Sequence, residues 1–169
     1  MIGFMKKIIL ILTCFICCQI FIFGQSYVTE NNSTVSAATG DIKIYFNNPV
    51  DTTVATGKHA IYLHNTIDDT LIAYIGRAKY SIDIAVYNFV QTSQIADIAA
   101  EINFAYSHGV RIRWIYDGSS SNSGLAQLSP NINTLASPTT VDYGIMHNKF
   151  MIIDANSAND SDAIVWTGS

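Results

Sequence analysis

Charge is scarce in this chain. Only 13% of its 169 residues are Asp, Glu, Lys or Arg, and 9 basic residues face 13 acidic ones. A chain so poor in Lys and Arg lacks the broad cationic stripe that neutralises a nucleic-acid backbone along its length. Proline is rare, with 3 residues, and the 10 glycines follow no repeat, which excludes collagen-like and proline-rich architectures. The 3 cysteines, Cys14, Cys17 and Cys18, all sit near the N-terminus, so no disulfide framework or thiol nucleophile is available downstream. Low charge combined with 49% hydrophobic residues also excludes a disordered chain. The length suits one ordinary domain of α/β size.

What is present begins with a leader. Lys6 and Lys7 precede an apolar run from Ile8 to Phe23, broken only by Thr13 and Gln19, with Gly24, Gln25 and Ser26 after it. A basic start, an apolar stretch and a small-residue exit predict a secretory signal peptide over residues 1–24. The run falls short of the roughly 20 apolar residues that cross a bilayer. An uncleaved N-terminal anchor is the alternative, because no A-x-A site is visible. Export to the periplasm or medium is the expectation. Residues 25–40, rich in Ser, Thr, Asn and Ala, read as a linker. Without the leader, 7 basic residues face 13 acidic ones, a net charge of −6.

From Asp41 the pattern becomes periodic. Ile42 to Phe46 alternates like a strand. Thr66 offers an N-cap to a helix carrying Ile67, Leu71, Ile72, Ile75 and Ala78, with Asp68 and Asp69 in its first turn. Ser81 to Phe89 reads as a nearly continuous apolar strand. A second helix starts at Thr92 or Ser93, buries Ile95, Ile98, Ala99, Ile102 and Ala105, and ends before Gly109. Val110 to Tyr116 is a further strand, and Ser119 to Gly124 a flexible polar loop. Ser129 to Pro138 reads as irregular or short helical structure. Ile145 to Ile153 and Ala163 to Thr167 are two more strands joined by the polar turn from Ala155 to Asp162. This order predicts an α/β domain with a mixed sheet and helices packed on it.

One constellation carries chemistry. His147, Lys149 and Asp154 form the pattern H-x-K-x-x-x-x-D, which chance places in such a composition on the order of one time in a hundred. Period-2 geometry puts His147 and Lys149 on one face of their strand. An imidazole nucleophile beside an ammonium suits a phosphate. Asp154 has the opposite parity, so it is expected to brace the site or its backbone unless the strand is irregular.

These residues resemble the signature of the phospholipase D superfamily, H-x-K-x4-D followed by G-S-x-N. His147 to Asp154 match the first part at every defined position, and Gly168-Ser169 match the start of the second. Ala78 to Ile82, Ala85 to Phe89 and His108 to Asp117 are similar to the family upstream, so the resemblance covers residues 41–169. It implies a phospholipase D-like α/β/α sandwich with a mixed central sheet and metal-independent phosphodiester cleavage or transfer. It implies His147 as the nucleophile that forms a phosphohistidine, Lys149 as the phosphate-charge holder, Gly168 and Ser169 as phosphate-binding, and Asp154 as the third motif residue. A second histidine, from another copy of the motif, would protonate the leaving oxygen. One copy is present here, so the expectation is either a homodimer or a second motif in a missing C-terminal half.

Two departures stand out. Thirteen residues, Ala155 to Thr167, separate the motif Asp from Gly-Ser, where the family has six. The motif's Asn and a histidine-orienting carboxylate would lie past Ser169, so the chain is expected to be a fragment of a longer two-motif protein.

The remaining polar residues carry blander readings. His59 and His64 lack partners at ligand spacing, and no metal and no cofactor are expected. His108 suits a helix C-terminus. Asp117, at a strand end where α/β ligand sites gather, is a pocket candidate or a turn former. Tyr87 and Asn88 are pocket candidates at a similar strand end. Arg111, Arg113 and Lys149 are the basic residues expected near the site. With so little positive charge, a phospholipid phosphodiester is the favoured substrate. A secreted dimeric endonuclease and an inactive phosphate-binding half-domain are the alternatives.

Overall fold

The computed structural model describes residues 40–142 and 144–168. The expected leader, the linker up to residue 39 and Ser169 lie outside the described residues.

The apolar residues of the middle of the chain build one five-stranded sheet and the helices that cover it. The elements, in order, are β1 (Tyr45–Phe46), β2 (Ile61–Tyr62), α1 (Ile67–Ile75), β3 (Ser81–Val86) and α2 (Ser93–Ser107). After them come β4 (Arg111–Tyr116), a 3-10 turn (Ser123–Gln127), β5 (Thr134–Ala136), β6 (Lys149–Ile153), a second 3-10 turn (Asp160–Asp162) and β7 (Ile164–Thr167). The sheet order is β5-β4-β3-β6-β7. β3, β4 and β5 run parallel, while β6 pairs antiparallel with β3 and β7 antiparallel with β6. Parallel neighbours need a crossover, and α2 supplies the one between β3 and β4.

Helix α2 forms where its caps and stripe predict. The Thr92 hydroxyl accepts from the Ile95 N–H at 3.2 Å, and Gly109 takes the left-handed φ of 91° that closes the far end. Its Ile98, Ala99, Ile102 and Ala105 are buried against Ile82, Ile84, Ile112, Trp114, Met151 and Ile153 of the sheet. Helix α1 adds Tyr74 and Ile75 to the same cluster and packs beside α2. Fully buried isoleucines such as Ile75, Ile82, Ile102 and Ile153 each contribute about 2 kcal/mol of apolar transfer.

The alternation along β4 separates the two faces. Ile112 and Trp114 point into the core, whereas Arg111, Arg113 and Ile115 are exposed. Among the described residues both α-helices therefore cover one face of the mixed sheet. The second helical layer of the expected sandwich is not among them.

Four local expectations change. Only Tyr45–Phe46 of the first strand forms, and it pairs in parallel with β2 in a separate two-stranded sheet. Thr66 does not cap α1 through its side chain; its hydroxyl donates to the Leu63 carbonyl at 2.6 Å instead. Residues 134–136 are a short strand on the sheet edge, because β4 offers an unpaired parallel partner there. The loop after Asp117, expected to be a flexible polar loop, is tied to the end of β3 by hydrogen bonds. Its Asn122 Oδ1 accepts from the Phe89 N–H at 2.8 Å, and the Gly124 N–H donates to the Phe89 carbonyl at 2.8 Å.

That loop tests the packing. A Cβ at Gly124 would lie 2.7 Å from both the Ile95 Cγ2 and the Phe89 carbonyl oxygen, with no flexible tip to give way. Gly124→Ala is therefore expected to destabilise the domain by about 1–3 kcal/mol, read as a lower denaturation midpoint at unchanged slope. A midpoint equal to that of the parent would contradict this packing.

Candidate active site

Strand direction decides which residues meet. Because β6 runs antiparallel to β3, its first residue, Lys149, lies opposite Val86, the last residue of β3, and Val86 in turn lies opposite Tyr116, the last of β4. The start of the H-x-K motif is thus delivered to the carboxyl edge of the parallel strands, where ligand sites of α/β sheets form. The strand begins at Lys149 and not at Ile145. One further rung extends it, since the Tyr87 N–H donates to the Asn148 carbonyl at 2.7 Å.

His147 and Lys149 meet on one face as their spacing predicts. The Lys149 Nζ is 3.0 Å from His147 Nε2 and 3.3 Å from Nδ1. An ammonium has only donors, whereas a neutral imidazole offers one ring nitrogen with a lone pair, the form a nucleophile presents. The His147 ring is exposed and lies 4.7 Å from the Tyr87 ring, centroid to centroid. Lys149 Nζ also sits 5.4 Å over the Tyr87 ring, within cation–π range. From β7, the Thr167 hydroxyl and the Gly168 N–H donate to the Lys149 carbonyl at 3.0 and 3.3 Å. Asn88 and Gly168 are exposed at the same edge. The structure therefore gathers His147, Lys149, Tyr87, Asn88 and Gly168.

Asp117 joins this group from beneath. It is completely buried, so it does not line an open pocket as its strand-end position suggests. One carboxylate oxygen accepts the Met146 N–H at 2.6 Å; the other accepts the Ser119 N–H at 2.9 Å and the Ser119 hydroxyl at 2.5 Å. Asn122, whose Nδ2 donates to the Asp117 carbonyl at 3.0 Å, ties the same loop to the end of β3. Asn122 is the residue that sequence reading missed, because a Ser/Asn-rich stretch carries no periodic signal. The Ser119 hydroxyl, then the Met146 and Ser119 N–H groups, hold the Asp117 carboxyl down at about 2 against the opposing effect of burial.

Asp154 is at the other end of β6. It adopts a left-handed φ of 52° and is buried. Its carboxylate accepts the N–H groups of Lys79 at 2.8 Å, Tyr80 at 2.7 Å and Ser81 at 2.9 Å. The strand separates it from His147, so it does not share the group that the three-residue motif suggests. Arg111 and Arg113 also leave the expected set. Arg111 lies opposite Ser81 at the amino end of β3, and Arg113 makes a two-pronged ion pair with Asp83, at 2.5 and 2.6 Å. Of the three expected cations, Lys149 alone stands at the edge with His147.

Both carboxylates make checkable statements. A folded-state pKa of about 2 at Asp117 lies below the unfolded value near 3.9, so its stabilisation is complete above about pH 4 and is lost as the pH falls through about 2. Urea unfolding across that window should show this slope in the parent and a flatter one in Asp117→Asn. Asp154→Ala leaves three N–H groups without their acceptor and should cost about 3 kcal/mol or more by the same measurement.

Comparison with known proteins bears on the same residues. The family model described as the PLD-like domain of cardiolipin synthase matches residues 71–169, more than half of the chain. The mitochondrial cardiolipin hydrolase of Drosophila melanogaster is 40% identical over 86 residues, 50% of this chain and 32% of that protein, so the chain spans about a third of this relative. Among solved structures, a phospholipase D family member, Nuc from Salmonella typhimurium, is 22% identical with a TM-score of 0.41, covering 50% of this chain and 55% of its own. NucT from Helicobacter pylori is 31% identical with a TM-score of 0.40, covering 51% and 58%. With the H-x-K-x4-D residues inside the matched segment, the chain belongs to the phospholipase D-like family of phosphodiesterases.

Proposed function

We propose that this chain cleaves a phospholipid phosphodiester by nucleophilic catalysis at His147, without a metal. The observation that carries the reading is the approach of Lys149 Nζ to within 3.0 Å of His147 Nε2 at an exposed edge of the sheet. The unprotonated ring nitrogen attacks phosphorus, a P–N bond forms, and the P–O bond to the leaving alcohol breaks. Lys149 offsets the charge on the non-bridging oxygens as it develops, and the resemblance to the family gives Gly168 and Ser169 a phosphate-binding role. The departing oxygen takes a proton from a general acid, a role that falls to a histidine of a second motif, in a homodimer or further along a longer chain. Water then attacks the phosphohistidine, returning the imidazole. Asp154 acts on this chemistry only through the backbone that it braces, and Asp117 by fixing the residue before His147.

The lipid reading over a nucleic-acid one is supported by charge. The segment after the leader carries net −6, and the two arginines expected beside the site lie elsewhere or are paired. Tracking a polynucleotide requires a cationic groove. A single lysine suffices for one phosphodiester headgroup. Residues 1–24 support an exported protein and residues 41–169 the catalytic domain of this reading.

Incubation with a radiolabelled phosphodiester followed by alkaline quench should trap an acid-labile phosphoenzyme. His147→Ala should abolish both the adduct and turnover, and Lys149→Met should lower kcat by about 10²–10³. An adduct that survives in His147→Ala would remove His147 as the nucleophile.

A further inference from the structure

Among the described residues the core behind Lys149 is not closed. A cavity of about 220 Å³ lies between the helix-covered face of the sheet and helices α1 and α2. Its outer lining holds Lys149, Asn88 and Gly168, which are exposed or half-buried, and its inner lining holds Ile84, Ile102 and Trp114, which are buried. The polar end is thus the candidate phosphate site itself, and the rest of the wall is aliphatic and aromatic. Close packing normally leaves few voids larger than a water molecule, so an apolar space of this size opening beside a cation has room for a ligand.

A second observation concerns Trp114. It is 3% exposed, and among the described residues its indole N–H has no hydrogen-bond partner. A buried donor left without an acceptor is costly.

From the apolar cavity and the cation at its mouth we infer that it takes an acyl chain of the substrate, its ester end at the mouth, while the adjoining phosphodiester sits at Lys149. The inference rests on the phosphodiesterase reading and adds to it the site for the apolar part of the substrate. Leu71 of α1 and Ile95 of α2 are half-buried lining residues, so larger side chains there fill the cavity without replacing its fully buried floor.

The chain has 2 tryptophans, Trp114 and Trp166, and both line this cavity. Intrinsic fluorescence therefore reports its occupancy without any need for turnover. A lysophosphatidylcholine with a brominated acyl chain, titrated below its micelle concentration, should quench that fluorescence saturably, and its unbrominated counterpart should not. Leu71→Phe/Ile95→Phe should weaken binding about tenfold or more, the order expected when a hydrophobic subsite is filled. Lys149→Met should weaken it as well, because the phosphate loses its cation. In turnover, the double variant should lose activity on long-chain phosphatidylcholine and keep that on bis(p-nitrophenyl) phosphate, which has no acyl chain.

Three outcomes overturn the inference: no bromine-dependent quenching, quenching unaffected by the Phe pair, or equal binding of a brominated fatty alcohol with indifference to Lys149→Met. Parent turnover of bis(p-nitrophenyl) phosphate with no quenching would sink the acyl subsite alone. Quenching without turnover of either diester would sink the phosphodiesterase reading and leave the cavity as a lipid-binding site.

Discussion

Strand β6 is held at both ends by buried carboxylates, and the position of the candidate site follows from that restraint. At its start, Asp117 grips the Met146 N–H from the end of β4; at its finish, Asp154 gathers three N–H groups from the approach to β3. Each carboxylate is acceptor-only, and each is buried where competing water is excluded, so neither tie has an equivalent alternative. Between them the antiparallel pairing with β3 fixes the register. A slip of one residue would turn Lys149 and Met151 to the open face and bring Phe150 and Ile152 into the core.

The consequence is a division of labour along one strand. The amino end carries a solvent-facing histidine and a half-buried lysine, poised at the carboxyl edge of the parallel strands. The carboxyl end carries an aspartate whose hydrogen bonds are already committed to the backbone. Of the three motif residues, two therefore stand together at the exposed edge, and the third is a structural anchor at the far end of the strand. A fourth residue, Asp117, lies outside the motif and ties the loop after β4 to the chain entering the site. The Tyr87 ring, positioned by the rung between its own N–H and Asn148, flanks both His147 and Lys149.

Among the described residues the sheet is asymmetric in its cover. Helices α1 and α2 shield one face, and the opposite face shows Arg113 paired with Asp83 beside exposed Ile115 and Val165. The shielded side is where the aliphatic cavity meets Lys149. On the proposed reading, a phosphate at that edge has apolar space behind it and Lys149 beside it.

Several of these features were legible in the residues alone. Helix α2 has its cap at Thr92, its stripe from Ile98 to Ala105 and its terminal Gly109, all local signals, and local signals survive folding. The pairing of His147 with Lys149 required only the two-residue period of an extended chain. The parity of Asp154 already separated it from them. Tertiary structure decided the rest. The order of strands, and hence which ends coincide, depends on pairings between residues dozens of positions apart, which no window of sequence records. For the same reason Asp117 reads as a turn former until Met146 is folded onto it, and Arg111 and Arg113 read as site cations until β4 is laid parallel to β3. Periodicity determined which face each side chain takes; long-range backbone hydrogen bonding decided where along the sheet each one stands.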